Sequence, residues 1–73
     1  MTEMNNHEVV SDGLERVVEA ARFLGVSRSL IYKLIDAGVL PSVKIGNARR
    51  IPIRAVRDLA ADHVVRHPHP DGR

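Results

Sequence analysis

"GVSRSLIYKLIDAGVL", residues 25–40, holds one helix between two glycines. Ser27 is a good N-cap, and the spacing predicts a helix from Arg28 to about Ala37, stopped by Gly38. At about 100° per residue, Leu30, Ile31, Leu34, Ile35 and Ala37 fall on one arc; Arg28, Ser29, Tyr32, Lys33 and Asp36 fall on the other. Just upstream, "VVEAARFLG" sets Val17, Ala20, Ala21 and Leu24 at helical spacing, with Gly25 where a helix end favours a left-handed residue. Its N-cap position falls on Arg16, whose side chain cannot accept a hydrogen bond, while Glu19 suits the helix dipole. Gly25, Val26 and Ser27 therefore link the two helices as a helix-turn-helix, with Val26 dropping beneath the crossing.

Downstream of Gly38 the period changes from helical to alternating. In "LPSVKIGNARRIPI", Val43 and Ile45 precede a turn at "GNA", and Ile51 and Ile53 follow it, which reads as a β-hairpin. Pro52 lacks an amide donor, so the second strand is expected at the edge of the sheet. "RAVRDLAADHVV" then places Ala55, Val56, Leu59 and Ala60 at helical spacing, as a third helix packed on the same core. Residues 1–13 read as a flexible leader and 63–73, ending "HPHPDGR", as a disordered tail. Short helices and a lone hairpin are each marginal. The expectation for 14–62 is an α+β, mainly α fold: a winged helix-turn-helix with a two-stranded hairpin wing and a third helix.

A chain of 73 residues has room for one small domain, and without cysteine its core must hold by packing alone. Neither a signal peptide nor a run long and apolar enough for a membrane span is visible, so the chain reads as soluble and intracellular. Its charge is unevenly spread. Residues 27–57 hold Arg28, Lys33, Lys44, Arg49, Arg50, Arg54 and Arg57 against Asp36 alone, whereas acidic residues outnumber basic ones on both flanks. A polyanion is the natural partner of such a block.

The second helix of a helix-turn-helix enters the major groove with its N-terminal residues at the base edges. Arg28 has the geometry to donate two hydrogen bonds to a guanine, Ser29 reaches a base or phosphate, and Tyr32 and Lys33 reach phosphates. On the hairpin, Lys44, Asn47, Arg49 and Arg50 are the candidate contacts, although adjacent arginines point to opposite faces of a strand. The alternative is structural throughout: a solvated helix face, turn residues at Gly46 and Asn47, and charges that keep a strand edge from pairing. Metal and catalytic chemistry find little support. His63 and His67 are spaced as helical neighbours, but no acidic or thiolate partners stand at fixed spacing, and no phosphate loop, nucleophile motif or acid/base pair is visible. No cofactor and no catalytic residue are expected.

The marks "EAARFLGVSRSLIYKLI", then "LP", "VKIG" and "RRIP", within residues 17–60, resemble the excisionase-type DNA-binding domain, a small winged helix-turn-helix related to the DNA-binding head of MerR regulators. That resemblance implies a non-enzymatic protein of a bacteriophage or integrative element. It would bind repeated double-stranded DNA sites near an attachment site, cooperatively with further copies of itself, bend the DNA and bias an integrase toward excision, in the cytoplasm of a bacterial host at the nucleoid. It also implies contact through the helix from Arg28 and the wing around Gly46 to Arg50. Two positions depart from the family pattern: Arg16, where Ser or Thr is usual, and Leu30, where Thr is common. MerR-type regulators carry a long dimerisation helix after this domain, so the short chain favours a stand-alone excisionase. The alternatives are a small phage or plasmid transcriptional regulator with the same domain, and a protein adaptor for which DNA is incidental.

Overall fold

A computed structural model of the chain describes residues 5–65; residues 1–4 and 66–73, with His67, His69 and most of the expected tail, lie outside the described residues. In chain order the elements are α1 (Asn6–Val9), β1 (Leu14–Arg16), α2 (Val17–Leu24), α3 (Arg28–Asp36), β2 (Val43–Ile45), β3 (Ala48–Pro52) and α4 (Ile53–Asp62). The three strands form one antiparallel sheet in the order β1-β3-β2. Val17, Ala20 and Ala21 of α2, Ile31 of α3, Leu40, Ile51 of β3 and Val56 of α4 make the core.

Both helices of the helix-turn-helix end as glycine requires. Gly25 takes φ 70°, and the Val26 amide reaches back to the Ala21 carbonyl at 3.0 Å, closing α2 in a Schellman-type turn. Gly38 does the same for α3 at φ 77°, with the Val39 amide on the Leu34 carbonyl at 2.9 Å. That reversal drops Leu40 into the core. Ser27 caps α3, its hydroxyl accepting from the Leu30 amide at 3.1 Å. Arg16 leads α2 without a side-chain cap; instead its own amide donates to Glu19 Oε1 at 2.8 Å, the half of a capping box that does not need an acceptor on Arg16.

Four details differ from the sequence reading. The wing is not a free hairpin, because β1 adds a third strand: Leu14 pairs with Pro52, Glu15 with Ile51 and Arg16 with Arg50. Hence β3 is the central strand and not the edge. Pro52 is tolerated there for a geometric reason. The Ile53 amide donates to the Gly13 carbonyl at 3.0 Å, which makes Leu14 and Pro52 a non-hydrogen-bonded pair. The nitrogen of Pro52 therefore points to the β2 side, where β2 has already ended opposite Arg50. On α3 the apolar arc is narrower than its periodicity implies: Ile31 is fully buried and Leu34 and Ile35 partly so, but Leu30 is 40% exposed and Ala37 is exposed. Finally, within the stretch 1–13, Asn5 caps the single turn α1, its side chain accepting from the Glu8 amide at 2.8 Å. Val9, which ends that turn, and Val10, which caps it, share a surface hollow with Val43 and Pro52 of the sheet.

Candidate nucleic-acid interface

The N-terminal end of α3 is open and carries no acidic residue in its first turn. Ser27 occupies one of its free amides, and Arg28 and Ser29 follow, both exposed. Ser29, Tyr32, Lys33 and Asp36 stand at successive helical offsets on the exposed side, opposite the buried Ile31. The helix dipole and two basic side chains thus combine on one solvent-facing surface, with Asp36 displaced to the far end. Among the described residues neither Arg28 nor Lys33 makes an ion pair, so their charge is presented outward uncompensated.

At the wing, Ile45 pairs with Ala48 across the two-residue turn Gly46 and Asn47, and Gly46 alone has positive φ, at 61°. A single left-handed first turn residue is the requirement of the type II′ class, which glycine meets without strain. Lys44 stands directly opposite Arg49, and alternation puts both on the face of the sheet that carries the core residue Ile51. Arg50 lies on the other face, with Val43 and Pro52, and its guanidinium Nη1 donates to the Arg49 carbonyl at 2.9 Å. Of the residues singled out from sequence, Arg28, Ser29, Tyr32 and Lys33 share one exposed helix face, and Lys44, Asn47 and Arg49 share the wing. Arg50 is separated from Arg49 by the thickness of the sheet.

Sequence reasoning passed over Glu15. It faces Ile51 across β1 and β3, and its carboxyl is pushed above the ordinary carboxylate value. Burial is the largest cause; the charge of Glu19 adds to it and Arg57 opposes it. A raised native value means that the folded chain holds this proton more tightly than the unfolded one, so folding is penalised once pH exceeds the native value, and the penalty fades as pH falls through it. Glu15→Gln is accordingly expected to raise the melting temperature slightly at pH 7, with the gain shrinking toward pH 4; thermal melts at the two pH values check both signs.

The remaining chemistry is sparse. His63 closes α4, its Nδ1 2.9 Å from the Leu59 carbonyl, and among the described residues no three His, Asp or Glu side chains converge as a metal would need. No described helix is long and apolar enough to cross a membrane.

Residues 16–63 match the family model of a helix-turn-helix domain, a span that runs from the cap of α2 through the end of α4. Among curated proteins, the chain is similar to an excisionase of Streptomyces ambofaciens, 44% identical over 55 residues that make up 75% of this chain and 89% of that one. It is also similar to a probable excisionase of Saccharopolyspora erythraea, 49% identical over 45 residues, or 62% of this chain; there it spans less than half of the relative, 46%. No solved structure matches the chain.

Proposed function

Since the chain belongs to the excisionase-type helix-turn-helix family, we propose that it is a non-catalytic DNA-binding excisionase, which binds repeated sites beside an attachment site, bends the DNA and biases an integrase toward excision. The observation that carries this reading is the acid-free N-terminal face of α3, unpaired among the described residues and bearing Arg28, Ser29, Tyr32 and Lys33, together with the Lys44 and Arg49 pair on the wing. Arg28 would read a base edge; Ser29, Tyr32, Lys33, Lys44, Asn47 and Arg49 would hold phosphates and fix the register. Double-stranded DNA is the partner, with an integrase and further copies of this chain as partners on it. Bending is the expected means, because it brings distant bound sites together.

Footprinting of the purified protein on the DNA around its own gene, at two salt concentrations, tests this. Several evenly spaced protected repeats beside an attachment site, weakening steeply with salt, are the expected result. A single protected site over a promoter would replace the excisionase with a transcriptional regulator built on the same domain. Binding indifferent to salt would point away from phosphate contact altogether.

A further inference from the structure

Register puts two arginines face to face. Arg16 of β1 and Arg50 of β3 are Cα partners in an antiparallel pair, so their side chains leave the same face of the sheet side by side. The pairing type draws them closer still. Leu14 and Pro52 form a non-hydrogen-bonded pair, alternation makes Glu15 and Ile51 the hydrogen-bonded one, and Arg16 and Arg50 are then again non-hydrogen-bonded, the type with the nearer side chains. The Arg16 amide confirms the phase, since it turns away from β3 to donate to Glu19.

Like charges directly opposite one another destabilise a sheet. Compensation here is partial. Glu19 Oε1 lies 3.9 Å from Arg16 Nε, an exposed and long ion pair, and Arg50 has no carboxylate within 4.0 Å among the described residues; its guanidinium leans on the Arg49 carbonyl instead. One carboxylate is left to serve two guanidiniums, and the pair sits where β1 runs directly into the N-terminus of α2. The cations of the proposed binding surface do not include Arg16, and Lys44 and Arg49 lie on the opposite face of the sheet.

We propose that Arg16 joins the wing residue Arg50 in a two-guanidinium grip for one phosphate of the DNA backbone, on the face of the sheet opposite Lys44 and Arg49. The proposal rests on the DNA-binding reading above. A phosphate diester offers two non-bridging oxygens that share one negative charge, which two neighbouring guanidinium forks hold better than either alone, and binding it eases the repulsion that the free protein carries.

The test uses Arg16→Gln, Arg50→Gln and the double variant of the full chain. Affinity for a random duplex is followed by fluorescence anisotropy over a salt series, and each free protein is melted in chloride and in inorganic phosphate at matched ionic strength. Because either guanidinium alone still neutralises the phosphate, a shared phosphate predicts that each single variant lowers affinity but lowers the slope of log K against log salt by less than about one, and that the double variant lowers it by about one rather than two. It further predicts that each single substitution raises the melting temperature in chloride, because the repulsion is gone, and that phosphate stabilises the unsubstituted protein more than the double variant. An unchanged slope in the double variant overturns the grip, as does a loss of about two there; a lowered melting temperature in the single variants also overturns it and would mark the pair as structural. If the unsubstituted protein binds no duplex at low salt, the DNA reading itself has failed. The phosphate melts tell that case from failure of the grip alone, because they register the anion without DNA.

Discussion

Ile31→Ala is expected to cost about 2–5 kcal/mol of stability, the range for deleting a buried isoleucine side chain where the site cannot collapse. Ile31 is the one fully buried α3 side chain among the described residues, and it belongs to the core cluster that also holds Ala20, Ala21 and Ile51. A single core of this size supplies only about 3–5 kcal/mol in total. The variant should therefore be largely unfolded at 37 °C, with the urea midpoint lost or displaced far below that of the unsubstituted protein. Leu30→Ala, one position earlier but 40% exposed, serves as the contrast and should cost much less. Equal losses at the two positions would show that α3 is not anchored through Ile31.

Arg28→Ala should leave stability alone and strike binding. The side chain is exposed and unpaired among the described residues, so its removal stays within about 0.5 kcal/mol in a melt. On its own sites the protein should weaken by about 1–3 kcal/mol, roughly five- to 150-fold, whereas random DNA should be affected far less. Parallel anisotropy titrations on a footprinted repeat and on scrambled sequence give the two numbers. An equal loss on both would reassign Arg28 from base reading to phosphate holding. A gel-shift series against single base changes in the repeat would then find no position at which the variant has become tolerant.

Much of this architecture is legible from local chemistry. Ser27, Gly25 and Gly38 mark helix ends because capping and left-handed backbone are needs of a few consecutive residues, and the structure meets them at those positions. The hairpin was legible for the same reason, since Gly46 and the alternation around it lie close together. What escaped is what depends on distant partners. "LER" is too short to show a period, and Leu14, Glu15 and Arg16 become a strand only through pairing with residues 50–52. The missing donor of Pro52 suggests an edge, and only the register reveals that its nitrogen faces the side where β2 no longer accompanies the strand. Leu30 belongs to an apolar arc by angle, yet burial depends on where the neighbouring helices end, and they leave it partly open. For the candidate interface, the exposure of the α3 face and the position of the cations on the wing were readable residue by residue. The cross-strand partnership of Arg16 and Arg50 was not, because no spacing along the chain announces it.

The central place of β3 also sets an order in time. During synthesis β1, α2 and α3 are made first, but the surfaces they rest on, Ile51 and Val56, come from the later part of the chain. Pairing Leu14 with Pro52 closes a loop that contains the entire helix-turn-helix. The entropy of that closure must be met before its contacts stabilise anything. At about 5–20 residues per second, the basic segment beginning at Arg28 emerges seconds before it has a core to fold on. A nascent chain stalled before Ile51 would present that segment as an extended polycation, and α3 would gain its ordered, outward-facing surface only once Ile51 and Val56 had followed it.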